Sequence, residues 1–292
     1  MSKKASSKGS GEDHELMLER KARFYKNYLK ACKPLNVTPS KTLKDLIHKS
    51  EEEGGSGDLA LAELVFIDDD LGPSGTRALC AALCGRGLST TKATPYSDIR
   101  TLVLRNCGGL AIGAWSVAEM LRVGGCEIEG APEMSVPLEK LEMSQSGIGL
   151  DGCMYLGAAL SAGCNAFLTN LVLDQDATIG DEGCALLVDG IVSNEVLRVL
   201  SLAVCGVGVD GATALTKLLR HPYSRLDTLN LNGNPLGCEG LAVLAGALTW
   251  RHEDFAVARH TEGHPGVLGN HTLKVYVWGS VVRSSVVWSV VV

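Results

Sequence analysis

Aromatic side chains are scarce in this sequence: Phe, Trp and Tyr supply 5% of its 292 residues, although hydrophobic residues make up 46%. Leu, Val and Ala must therefore fill the interior, and few rings remain for stacking on nucleobases. A cationic excess is missing as well, since 27 Lys and Arg face 33 Asp and Glu for a net charge of −6. Neutralising a phosphate backbone needs clustered positive charge, so no nucleic-acid partner is expected. The ten cysteines, at 32, 80, 84, 107, 126, 153, 164, 184, 205 and 238, include no Cys-x-x-Cys pair and no dense cluster. Neither a zinc site nor a secreted disulfide framework fits that spacing. The first 13 residues are polar and basic with no apolar segment of the secretory kind. The expected setting is reducing and cytoplasmic.

Nucleophile elbows, Walker motifs and paired-histidine zinc motifs are absent from the sequence. Two stretches, 147–152 and 206–211, satisfy Gly-x-Gly-x-x-Gly. Both fall at the same columns of an internal repeat, which explains them without a dinucleotide. His260 and His264 have helical metal-ligand spacing, but Gly263, Pro265 and Gly266 favour a loop there. No cofactor, metal or small-molecule substrate is expected, and no enzymatic activity.

What the sequence has in abundance is a register. The unit starting at Leu226 continues through Leu229, Leu231, Asn234, Leu236, Gly240, Leu244 and Leu248. Further units start at Leu61, Ile99, Leu138, Leu168 and Leu197, at intervals of 38, 39, 30, 29 and 29 residues. A glycine column runs through all six as Gly75, Gly113, Gly152, Gly183, Gly211 and Gly240. Apolar residues at the first, fourth and sixth positions predict a strand with one face inward. Spacing of three to four after the glycine predicts a helix. One strand and one helix cannot bury their own apolar faces, so the units must stack. Strands about 4.8 Å apart beside helices needing about 8–10 Å force the stack to bend, with strands inside and helices outside.

The unit resembles the ribonuclease-inhibitor type of leucine-rich repeat, as found in NOD-like receptors, Ran GTPase-activating proteins and several ciliary and cytoskeletal proteins. The resemblance implies an α/β fold: a curved leucine-rich repeat solenoid, or horseshoe, with parallel strands on the concave side, helices on the convex side and a short N-terminal helical cap. The ninth position departs from the usual Asn or Cys, reading Asp69, Cys107, Ser146, Asp176, Cys205 and Asn234. Cysteine hydrogen-bonds weakly, so a patchy ladder is expected there.

The sequence divides into a disordered tail (1–13), a helical N-terminal cap (14–50), a linker (51–60), a six-repeat solenoid (61–248), a His-containing loop (249–272) and a degenerate seventh strand or low-complexity tail (273–292). In the cap, Leu18, Ala22, Tyr25, Leu29 and Cys32 form one helical stripe, and Thr38-Pro39 reads as the start of a second helix. Val275 to Val292 carries Arg283 as its only charge, but Gly279, four serines and that central arginine oppose a membrane span. A strand, a tail and a gene-model artefact all fit this segment, and no membrane partner is expected.

The surface that repeats of this kind offer is the concave face, read from the positions between buried leucines. Val65, Ile67, Val103, Arg105, Asn106, Lys140, Glu142, Val172, Asp174, Ser201, Asn230 and Asn232 are its candidate binding residues. Mixed amides, charges and valines suit a protein partner. The expected role is a non-enzymatic interaction scaffold or adaptor in the cytoplasm, with the cilium or cytoskeleton as the other location. The alternative is a small-GTPase regulator similar to Ran GTPase-activating protein, with Arg105 and Asn106 exposed at a strand end.

Overall fold

Each repeat folds as strand, turn and helix. The computed structural model describes residues 6–52, 61–85, 94–125, 135–221, 224–258, 273–277 and 288–291. Its strands are β1 (Glu63–Ile67), β2 (Thr101–Arg105), β3 (Lys140–Glu142), β4 (Asn170–Val172), β5 (Val199–Ser201), β6 (Thr228–Asn230), β7 (Lys274–Val277) and β8 (Trp288–Val291). They form one open sheet in chain order, parallel from β1 to β7, with β8 antiparallel to β7. Leu64, Leu102, Leu141, Leu171, Leu200, Leu229 and Val275 stand opposite one another along it. The six leucines are fully buried, each stabilising the fold by about 2 kcal/mol relative to exposure.

The repeat helices are α3 (Gly72–Leu83), α4 (Leu110–Gly124), α5 (Gly149–Ala159), α6 (Gly180–Ile191), α7 (Val209–Arg220) and α8 (Gly237–Ala258). Each packs on the next and forms the convex layer. The glycine column lets them sit against the preceding turn: a Cβ at Gly152 would stand 2.6 Å from the Ile148 Cβ. The tightest crossing lies between α5 and α6, where a Cβ on Gly190 would come within 2.4 Å of the Gly157 carbonyl carbon.

The turn after each strand has a fixed conformation. Its eighth-position residues Asp68, Asn106, Gln145, Gln175, Val204 and Gly233 all have φ between 51° and 72°. Glycine, Asn and Asp tolerate that left-handed region, whereas a β-branched residue such as Val204 is strained by about 1–3 kcal/mol.

The ninth position carries a more continuous ladder than its composition suggests. Cys107, Ser146, Cys205 and Asn234 each donate to the sixth-position carbonyl of the preceding repeat, those of Phe66, Leu104, Leu173 and Leu202. Asn234 Oδ1 also accepts from the amides of Cys205 (2.9 Å) and Val207 (3.0 Å), and Asp176 accepts from Ile148 at 2.7 Å. Donors serve the carbonyl and acceptors serve the amides; asparagine does both.

The N-terminal cap consists of α1 (Ser6–Cys32) and α2 (Lys41–Glu52), with α1 packed on α3. Helix α1 begins at Ser6, inside the stretch 1–13 expected to be disordered. Apolar periodicity cannot register that part, because residues 6–13 contain no large apolar side chain. The buried face is formed by Phe24, Tyr28, Ala31 and Cys32; of the expected stripe, Leu18, Tyr25 and Leu29 are half-buried and Ala22 is exposed. The aromatic pair decides the orientation. Phe24 stacks on Tyr96 with centroids 5.0 Å apart, and Tyr28 Oη accepts from the Ser40 amide. Ser40, rather than Thr38, caps α2: its hydroxyl accepts from the Leu43 amide and donates to Asp69 of the first repeat. Arg20 clamps Asp98 through two bonds of 2.8 and 2.9 Å.

Helix α8 continues to Ala258 and so occupies the first part of the expected loop 249–272. No Gly or Pro interrupts residues 249–258, so nothing there stops the helix. His260, His264 and His271 lie outside the described residues, as do most of 278–292. The segment 273–292 contributes β7, hydrogen-bonded to β6, and β8. No described helix is long and apolar enough to cross a membrane.

Candidate protein-binding surface

Alternation along β1–β6 sends every second side chain to the concave face, but crowding within that face divides the twelve candidates. Ile67, Arg105 and Asn106 are exposed, whereas Val65, Lys140, Val172, Asp174, Asn230 and Asn232 are half-buried. Val103, Glu142 and Ser201 are buried. All three occupy the fifth position, where Glu142 is covered by Arg105 and Lys140 and Ser201 by Asp174 and Asn230, whereas Val65, Val172 and Asn230 at the same position are half-buried. Counting alternate positions as equally open overlooks that cover.

Two hydrogen-bonded groups organise the face. In the first, Arg105 donates through Nε (2.9 Å) and Nη2 to Glu142 Oε1, while Lys140 Nζ approaches Oε2 at 3.7 Å. Two cations on one buried carboxylate offset the cost of removing it from water. In the second, Asp174 Oδ1 accepts from the Ser201 hydroxyl (2.6 Å) and the Ala203 amide (2.8 Å). Ser201 Oγ in turn accepts from Asn230 Nδ2 at 2.8 Å, and Asn230 Oδ1 accepts from the Asn232 amide at 3.2 Å. Asn232 Oδ1 is buried without a hydrogen-bond partner among the described residues. At the turn, Asn106 Nδ2 donates to Asp68 at 2.7 Å.

Tyr276 was missed by counting six repeats. It pairs with Asn230 from β7 and adds an exposed ring to the same face. The signal was present in Val275, which continues the leucine column one strand further. Asn165 and Asn194 were also missed. Each sits three residues before the leucine that opens a repeat, donates to a carbonyl at the C-terminal end of the helix one repeat back (Leu121 in α4, or Leu160 just after α5) and accepts from two amides ahead of the strand.

The thiols are structural. None of the described cysteines is in a disulfide, and most are buried. Burial pushes the Cys107 thiol up to about 11 and those of Cys153 and Cys205 up to about 12. Among the described residues, no group of three His, Cys, Asp or Glu is placed to hold a metal ion.

Known proteins share part of this sequence. The chain is 30% identical over 214 residues to the human (Homo sapiens) NACHT, LRR and PYD domains-containing protein 3, covering 66% of this chain and 19% of that protein. It is 28% identical over 171 residues to the ribonuclease inhibitor of Sus scrofa, covering 58% of this chain and 32% of the inhibitor. This is a leucine-rich repeat protein of the ribonuclease-inhibitor-like type. The NACHT, LRR and PYD domains-containing protein 5 of Bos taurus matches at 28% over 210 residues, 65% of this chain and 18% of that protein. The chain thus spans a third or less of each of these relatives. No family model matches it. With the repeat type shown, the inner sheet is the concave wall of a leucine-rich repeat solenoid, and the two hydrogen-bonded groups lie on it.

Proposed function

We infer that the concave wall binds a protein partner and that the chain acts as a non-enzymatic scaffold or adaptor. The observation that carries this reading is the mixed character of the wall. Exposed Ile67 and Tyr276 flank polar side chains held in place by one another, and Asn232 offers a buried acceptor with no described donor. Rigid polar groups beside apolar contacts are what a macromolecular interface uses, and prior ordering lowers the entropic cost of binding. The ribonuclease inhibitor, by its name a protein directed at another protein, supports the same reading. Described cysteines outside any disulfide support a reducing, cytoplasmic location. No observation favours the GTPase-regulator alternative, since the Arg105 guanidinium is engaged by Glu142. The cilium and cytoskeleton gain no support either.

Quantitative affinity capture from source-cell extract tests the reading, comparing the full chain with an Ile67→Glu, Val172→Glu double variant. Partners lost from the variant, with its melting temperature unchanged, are the expected result. Identical partner profiles would remove the concave wall from the account.

A further inference from the structure

The convex layer carries a second surface that the concave reading does not use. Leu110, Ile112, Trp115, Leu150, Met154 and Leu186 are each between 38% and 58% exposed. They come from three consecutive helices, α4, α5 and α6, which pack side by side. Trp115 and Met154 occupy the same column of the repeat and Leu186 the next, so their side chains line a ridge running across the helices. One turn earlier, Ile112 shares its column with Asp151, Glu182, Asp210 and Glu239 of the following helices. None of these four carboxylates is ion-paired among the described residues. Arg77, with its guanidinium carbon 5.6 Å over the Trp115 ring, bounds the ridge on the α3 side.

Acidic residues in a first helical turn are favourable in their own right. Exposed apolar side chains gain nothing comparable, and six large ones on three adjoining helices are what an interaction surface presents. Leu110 sharpens the point. The corresponding position in the other repeats is Gly72, Gly149, Gly180, Gly208 and Gly237, and Leu110 adopts φ 52° where glycine would be unstrained. A half-exposed leucine thus sits in a backbone conformation that disfavours it.

We propose that the ridge on α4–α6 is a docking site for a basic amphipathic helix of a protein partner, with apolar side chains seated on Trp115 and Met154 and cations facing the Asp151 to Glu239 row. An apolar stripe beside a row of like charges is complementary to a helix whose apolar face is bordered by Lys or Arg. The surface is separate from the concave wall, so either reading can fail without the other.

The test is a fluorescence anisotropy titration of the full chain with a labelled synthetic helix built from leucine and lysine. A second helix with glutamate in place of lysine serves as its counterpart. The lysine helix should bind at least about tenfold more tightly than the glutamate helix. A Trp115→Glu, Met154→Glu variant should weaken it by a similar factor, whereas the Ile67→Glu, Val172→Glu variant should leave it unchanged. Asp151→Asn with Glu182→Gln should flatten the salt dependence. Leu110→Gly should raise the melting temperature while weakening the helix, which separates binding from folding. Equal binding of both helices, or loss with the concave variant alone, would overturn the proposal. So would sedimentation velocity showing a dimer that the Trp115→Glu, Met154→Glu change dissolves, because the ridge would then belong to a second copy.

Discussion

The two faces of the solenoid solve opposite problems. On the concave side, closely spaced strands bring polar side chains together, and they satisfy one another: Glu142 with Arg105 and Lys140, Asp174 with Ser201, Ser201 with Asn230. On the convex side the helices close on glycine, as at Gly157 and Gly190, and leave large apolar side chains in water. The inner layer is therefore specified by hydrogen bonds and registered leucines, the outer by shape. Disturbing each layer should produce a different signature.

The largest effect is expected in the outer layer. Gly190→Ala forces a methyl group against the α5 backbone and should destabilise the protein by about 3 kcal/mol, read from chemical denaturation. Little loss would mean that α5 and α6 separate freely, and the contrast between layers would dissolve. In the inner layer, Asn234→Ala removes the partner of two buried amides and of the Leu202 carbonyl, at about 2 kcal/mol. Cys205→Ser keeps a donor to Leu173 and should cost about 1 kcal/mol or less. Equal losses from the two would show that the ninth-position ladder is not what holds the turns. A smaller change of opposite sign is expected at the turn itself. Val204→Gly relieves a β-branched residue at φ 57° and should stabilise by about 1 kcal/mol in the same assay.

The subtlest effect is on pH. Cys107, Cys153 and Cys205 titrate above their ordinary value of 9.0 because burial disfavours the thiolate. Only the unfolded chain ionises them just above that value, so their contribution is intact below pH 9 and declines as pH rises through the folded values of about 11 to 12. Denaturation midpoints measured from pH 8 to 10.5 should fall less in a chain with all three replaced by alanine, once its lower starting stability is subtracted.

The repeat was legible because a strand and a helix each impose a period, and six copies of Leu at the fourth position leave little room for another reading. Its termini were less so. In α1, the stripe read from sequence lies beside the face that is buried, because the contact of Phe24 with Tyr96, far along the chain, turns Phe24 and Tyr28 inward. The concave face was legible as a set of positions but not as a set of exposures, because cover at the fifth position depends on which side chains stand on the neighbouring strands: Glu142 is buried under Arg105 and Lys140, while Val172 and Asn230 at the same position are half-buried. The ridge on α4–α6 escaped notice because apolar residues in a repeat helix are read as core, and only the paired observation of exposure and a leucine in a glycine column distinguishes Leu110.

Hydroxyl-radical footprinting of the chain with and without its captured partner addresses the central claim most directly, since it reports side-chain cover residue by residue. The account predicts that Ile67, Val172 and Tyr276 lose reactivity together when the partner is bound. A bound partner that leaves all three as reactive as in the free protein would contradict it.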